Sequence, residues 1–232
     1  MPRIVVTTLI RHNADKSLGN KRNQDEWAAI HSLHIVKGEP VHPRGFFYWR
    51  YFDGTKRKAD GASAELFIGD LCRHFAARIT GEVGAGVQIV PVPNGSATIG
   101  NDNSFRTLDL ARRIANASGT ALTAFDTLRW HQTMGRTHLG ERRRDVDDHI
   151  RALRVKPGGD HRVVLFDDVV TSGSQLFAAK TKLEEAGYEV ARMYAIADVL
   201  DEGQRGSAPA WKTVTKNLSR MADFFADLNT DF

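Results

Sequence analysis

Cysteine is almost missing from this chain: Cys72 is the only one in 232 residues. An internal disulfide and a multi-cysteine zinc site are therefore excluded. Long apolar runs are missing too. The longest, such as Val163–Phe166 and Val87–Val92, fall far short of the ~20 residues that cross a bilayer. Met1–Ile10 lacks the charged start, apolar core and small-residue cleavage site of a signal peptide. The expectation is a cytoplasmic protein with no membrane partner. There is no Walker-type phosphate loop, and Gly81-x-x-Gly84-x-Gly86 precedes a strand, where a dinucleotide fingerprint would follow one. His31 and His34 share a helical turn but have no third ligand close by in sequence, so they read as packing or surface histidines. Cys72 sits mid-helix beside apolar residues and reads as a buried thiol.

The remaining composition is that of an ordinary globular protein, with 41% hydrophobic and 26% charged residues. The length suits one domain with elaborations, or a core with a small subdomain. The net charge is +4, with part of the excess in Arg142, Arg143 and Arg144, near Arg129, Arg136 and Arg151. Such a cluster can serve nucleic acid, a polyphosphate ligand, or no ligand at all.

Ile4–Leu9 reads as a strand, and a helix beginning near Asp25 carries Trp27, Ile30, Leu33 and His34 on one face. Phe46–Phe52 is a strand running into a turn at Asp53-Gly54, and residues 63–79 form an amphipathic helix. Strands and helices then alternate: strand 87–92, helix 108–117, a charged helix over 137–153, strand 163–166, helix 175–186, strand 190–197. Alternation of this kind predicts an α/β fold with a mainly parallel sheet flanked by helices. Gln204–Pro209 reads as a linker. Trp211, Val214, Leu218, Met221, Phe224, Phe225 and Leu228 recur at three- and four-residue steps, the pattern of an amphipathic tail helix. That helix would dock on its own domain or form a homodimer contact.

The most informative stretch runs from Val163 to Gln175: an apolar strand, Asp167-Asp168, two apolar positions, Thr171-Ser172-Gly173-Ser174, and then a helix. Ligands of open parallel sheets bind beyond the carboxyl ends of the strands. Free N–H groups of such a turn, with a helix dipole behind them, make an anion cradle. Gly173 allows close backbone approach, and the flanking hydroxyls add donors. The two carboxylates would repel the phosphate but suit hydroxyls or a cationic centre. A ribose 5-phosphate combines these features.

These residues resemble the phosphoribosyl pyrophosphate signature of type I phosphoribosyltransferases, with Asp167, Asp168, Thr171 and Gly173 in place and Gln175 where that signature has a hydroxyl. Val90-Pro91-Val92-Pro93, Phe105, and Leu110-Ala111-Arg112 resemble more narrowly the ComF-like group of amidophosphoribosyltransferase relatives linked to DNA uptake. That group's arginine before the helix is here missing or moved to Arg106, and its N-terminal four-cysteine zinc module has no counterpart. The resemblance implies a small N-terminal hood over residues 1–60, a core over 61–203 and a linker with helical tail over 204–232. It implies transfer of phosphoribosyl from phosphoribosyl pyrophosphate to a nitrogenous acceptor. In that reaction Asp167 and Asp168 support an oxocarbenium-like transition state. Thr171, Ser172, Gly173, Ser174 and Gln175 hold the 5-phosphate. Pro93, Asn94, Gly95, Arg106 and Arg136 serve the pyrophosphate, and Mg²⁺ arrives on the substrate's phosphates without a protein cage. Two other readings stay open: a non-catalytic sensor of the same ligand, and an accessory protein with weak single-stranded DNA binding through the Arg129–Arg151 segment.

Overall fold

The computed structural model describes residues 2–134, 146–200 and 203–218. β1 (Arg3–His12) leads through a 3₁₀ segment to α1 (Gln24–Lys37). A reciprocal capping box starts α1. The Asn23 side chain accepts the Glu26 N–H at 2.9 Å, and the Glu26 carboxylate accepts the Asn23 N–H at 2.8 Å. Gly38, with φ 68°, ends it in the left-handed conformation that lets the last turn close. The hairpin β2 (Phe46–Arg50) and β3 (Lys56–Asp60) follows, then α2 (Ala64–Val83), β4 (Val87–Pro91), α3 (Arg106–Ala117), β5 (Leu122–Ala124) and β6 (Leu128–Trp130). After these come α4 (Val146–Ala152), β7 (Leu153–Val155), β8 (Arg162–Val170), α5 (Ser174–Glu185), β9 (Glu189–Val199) and β10 (Lys212–Asn217). Among the described residues no helix is long and apolar enough to cross a membrane.

The main sheet has the order β10-β1-β9-β8-β4-β5, parallel throughout except for β10, which runs antiparallel to β1. The central strand β8 explains why both faces are covered. Val164 and Phe166 enter one core cluster with α2 and α3, while Val163 and Leu165 enter a second with α5. An apolar strand without alternation can be satisfied only between two layers.

The connections out of the sheet's middle set the site. From β4 the chain passes through α3 to β5 on one side; from β8 it passes through α5 to β9 on the other. α3 packs its Leu110, Ala111 and Ile114 on the first face, whereas α5 packs Leu176, Ala179 and Leu183 on the second. Loops that leave adjacent strands toward opposite faces open a crevice at the carboxyl ends. That switch point lies between β4 and β8.

Five sequence expectations change. The amphipathic tail helix does not begin at Trp211: residues 212–217 are the edge strand β10, and 219–232 lie outside the described residues. The β-branched run Thr213-Val214-Thr215 pairs with Val5, Val6 and Thr7, so ladder hydrogen bonds outweigh the helical spacing of the apolar residues. The stretch 204–209 is anchored, since Glu26 takes Arg205 Nη2 at 2.7 Å and the Gly206 N–H at 3.3 Å. β1 belongs to the main sheet, so a hood made of residues 1–60 loses its first strand to the core; the hairpin β2–β3 is what stands apart. The charged helix expected over 137–153 is seen only as α4, followed by β7, with 135–145 outside the described residues. The helix at 24–37 also turns differently: Ala28, Ala29, Ile35 and Val36 are buried, and Trp27 is exposed.

Cys72 is buried as expected, and burial pushes its thiol up to about 12, which leaves it inert as a nucleophile.

Candidate functional site

Both loops singled out by the sequence meet at the switch point. The Val92 N–H donates to the Phe166 carbonyl at 2.8 Å, tying the exit of β4 to the strand that carries the carboxylates. Val170 then gives way to the exposed Thr171 and Ser172, the left-handed Gly173 (φ 82°) and the first turn of α5. The N-cap residue Gly173 has no side chain to cap that turn, and the Ser174 N–H makes only a long bond of 3.4 Å to Ser172 Oγ, so the helix start remains open to an anion. Ser172 Oγ and Ser174 Oγ lie 2.9 Å apart, aligning two hydroxyls at the cradle. Gln175 is half-buried at the same turn.

Gly173 has a second role. A Cβ there would come within 2.6 Å of Ile4 Cδ1 and 3.3 Å of Lys216 Cβ. Its positive φ and this crowding make it a structural necessity of the loop, so a valine there would disturb packing as well as ligand approach.

The pair Asp167 and Asp168 divides into two environments. Asp167 is buried, and its Oδ1 accepts the Asp168 N–H at 2.8 Å. Burial, then the neighbouring Asp168 charge, push its carboxyl well above the ordinary carboxylate range. Asp168 is half-buried on the side where its charge acts on Arg106. Asp168 is thus the member of the pair that faces the crevice, and Asp167 the buried one that shapes its turn. Below the ordinary carboxylate range the folded and unfolded chains both hold the Asp167 proton. As pH rises through that range the unfolded chain releases it and the folded chain keeps it, so stability falls with pH. Asp167→Asn keeps the acceptor for the Asp168 N–H and removes this slope. Thermal melts from pH 4 to 8 are expected to show the variant gaining Tm over wild type as pH rises; parallel curves would refute a proton held at Asp167.

On the β4 side, Pro93 is buried and its carbonyl accepts Trp130 Nε1–H at 3.0 Å. The Met134 N–H donates to the Gly95 carbonyl at 2.8 Å, and the Trp130 N–H to the Ala97 carbonyl at 2.9 Å. A Cβ on Gly95 would lie 2.3 Å from the Met134 carbonyl oxygen, so glycine is what allows residues 131–134 to pack on this loop. Asn94 is exposed and its Oδ1 accepts Ser96 Oγ–H at 3.1 Å. Among the described residues the Asn94 and Gly95 N–H groups have no acceptor, which leaves them for an anion.

The two basic residues described here depart from expectation. Arg106 is not a loop cation: its Nη2 donates to the Ile35 carbonyl at 2.9 Å and its Nε to that of Val36, closing the C-terminus of α1. Open carbonyls at a helix end draw a guanidinium that the fold brings beside them. Arg129 is 1% exposed. It is bidentate to Asp126 (Nε 3.0 Å, Nη2 2.7 Å), donates to the carbonyls of Asn101 and Asn103, and lies 5.1 Å from the Phe105 ring centroid. It holds the connection between the Asn94–Gly95 loop and α3, and offers nothing to nucleic acid. Arg151 is exposed and paired with Asp148. Arg136 and Arg142–Arg144 lie outside the described residues. Trp130 supports the loop without having been singled out in the sequence, and Arg129, read there as part of a basic segment, supports it from the buried strand Leu128-Arg129-Trp130.

No protein-family model matches the chain, and no curated protein does. Solved structures similar to it include phosphoribosyltransferases. An adenine phosphoribosyltransferase is 15% identical over 73% of this chain and 90% of its own, with a TM-score of 0.40. An orotate phosphoribosyltransferase from Aeropyrum pernix is 19% identical over 72% and 80%, with a TM-score of 0.37. A hypoxanthine phosphoribosyltransferase from Staphylococcus aureus is 15% identical over 61% and 70%, with a TM-score of 0.35. Likenesses of this size carry no argument about the site. Its chemistry stands on the residues themselves.

Among the described residues no three His, Cys, Asp or Glu side chains converge as metal ligands. The half-buried Asp168 offers a hard oxygen donor at the crevice, which fits a Mg²⁺ ion carried by substrate phosphates and waters.

Proposed function

We propose that the chain binds phosphoribosyl pyrophosphate and transfers its phosphoribosyl group to a nitrogen acceptor. The observation that supports this reading is the pairing of two anion-ready loops, 93–95 and 171–175, over neighbouring strands at the switch point, with the Asp168 carboxylate at the same edge. Thr171, Ser172, Ser174, Gln175 and the first N–H groups of α5 hold the 5-phosphate. The Asn94 and Gly95 N–H groups take the pyrophosphate. The bond from the anomeric carbon to the pyrophosphate oxygen breaks with its electron pair leaving on pyrophosphate, and the nitrogen lone pair forms the new bond as its proton goes to solvent or a base. Asp168 supports the positive charge that develops on the ribose ring; the buried Asp167 fixes the turn. Asp168 is the carboxylate that would meet a Mg²⁺ ion carried in by the substrate, which would supply charge neutralisation for the pyrophosphate.

The test is pyrophosphate release from phosphoribosyl pyrophosphate with Mg²⁺ and a panel of bases and amines. Calorimetry of the same ligand should show a double Ser172→Ala/Ser174→Ala change weakening binding by about tenfold or more, the loss expected from hydrogen bonds to a charged group. Both side chains lie at the surface of the loop, so the fold should survive, as circular dichroism will show. Equal affinity of wild type and variant refutes the phosphate assignment. Tight binding without turnover on any acceptor makes the chain a sensor of the ligand.

A further inference from the structure

A cavity of about 520 Å³ opens between the start of α1, the β2–β3 hairpin, α2 and residues 208–211. That volume lies within the range of small-molecule sites. None of its lining residues comes from the loops 93–95 or 171–175.

Its walls carry aromatic rings. Tyr48 is 49% exposed on the hairpin's outer face. Trp211 is held in place by Phe75 edge-on at 4.8 Å and by the Arg78 guanidinium 5.4 Å from its ring centroid. The cavity also holds uncommitted charge. Arg50 and Lys56 are cross-strand partners, so two cations stand side by side on one rim. Arg50 Nη1 donates only to the Gly54 carbonyl at 3.2 Å, and Lys56 Nζ lies 5.5 Å from the Tyr48 ring centroid. Neither makes an ion pair among the described residues, nor does Asp25, which lines the cavity from the first turn of α1.

The last component is an oriented imidazole. His74 Nε2 lies 3.3 Å from Asp70 Oδ2. Asp70 is buried and also accepts Trp49 Nε1–H at 2.7 Å and the Phe52 N–H at 2.9 Å. The Nε2 itself makes no hydrogen bond among the described residues; edge-on packing against the Trp49 ring at 5.7 Å and the Phe52 ring at 5.3 Å is what orients the imidazole in the cavity wall.

Rings, a cation pair, a lone carboxylate and a fixed imidazole suit a ligand with a flat ring, an anionic group and hydroxyl donors. We propose that this cavity is a second ligand site that takes a nucleoside monophosphate. The base lies against Tyr48 and Trp211, the phosphate meets Arg50 and Lys56, the sugar hydroxyls donate to Asp25, and His74 reads the ring edge. The two cations outweigh the single carboxylate for an anion, and that carboxylate is offset by its use for hydroxyls. The site stands independently of what loop 171–175 binds.

Calorimetry on the full chain tests this with AMP, UMP, adenine, uracil and inorganic phosphate. Arg50→Ala/Lys56→Ala removes the exposed cations without touching the core. It is expected to weaken AMP or UMP by about tenfold or more. Ser172→Ala/Ser174→Ala should leave that affinity unchanged, and inorganic phosphate alone should bind about tenfold or more weaker than the nucleotide. Trp211→Ala should weaken the nucleotide and the free base together; should it fail to fold, Tyr48→Ala, an exposed position, makes the same measurement. The proposal is overturned if neither nucleotide binds, or if phosphate binds as tightly as the nucleotide. It is equally overturned if the serine variant loses the affinity, alone or together with the cation variant, because the nucleotide would then sit in the phosphate loop.

Discussion

Arg129→Ala is expected to destabilise the protein by about 3–5 kcal/mol, the cost typical of removing one partner from a buried ion pair. The buried guanidinium satisfies Asp126 and two backbone carbonyls at once, and alanine removes that donor from the carbonyls and leaves Asp126 with the longer Lys156 contact at 3.4 Å. A domain whose whole stability is about 5–15 kcal/mol would be partly unfolded at physiological temperature. Lysine cannot reproduce the fork, so Arg129→Lys should recover only part of the loss. Urea denaturation measures both. A change below about 1 kcal/mol for alanine would mean that this arginine is a surface group, contrary to its placement.

Asp168→Asn is expected to cut kcat for pyrophosphate release by about 10²–10³, the usual effect of removing one electrostatic stabiliser from a developing charge. KM should change much less, since the charge acts on the transition state more than on the bound ligand. Asp167→Asn should cost far less turnover, because burial and the neighbouring Asp168 push that carboxyl upward and so disfavour its charged form. The two single changes, assayed at pH 7 with the acceptor found by the panel, separate the roles. Equal losses would assign the charge to the pair, and an unchanged kcat in Asp168→Asn would remove the carboxylate from the chemistry.

Much of this was readable from residue order. The apolar run Val163–Phe166 could only be a strand covered on both sides, since it offers no polar face. The carboxylates, the hydroxyls and Gly173 that follow it in direct succession announced an anion cradle, because a left-handed glycine and an uncapped helix start are local features. Helices with strong start and stop signals were legible for the same reason: Asn23 with Glu26, and Gly38, act within a few residues of themselves.

Contacts between distant segments were not legible. Residues 212–217 carry both a helical spacing and a β-branched run, and the free edge of β1 decided between them. The fate of Arg106 depended on where α1 ended, 70 residues upstream, and that of Arg129 on the loop 101–103 that folds over it. Asp167 and Asp168 are adjacent in sequence and look alike there. Alternation along β8 sends one into the core and the other toward the crevice, and the proton follows burial. Sequence alone therefore determined which chemical groups stand at the carboxyl end of β8, because local periodicity and turn chemistry are short-range. Tertiary structure decided which of those groups carry charge and which arginines are free to meet a ligand, because desolvation and pairing depend on what the rest of the chain packs against them.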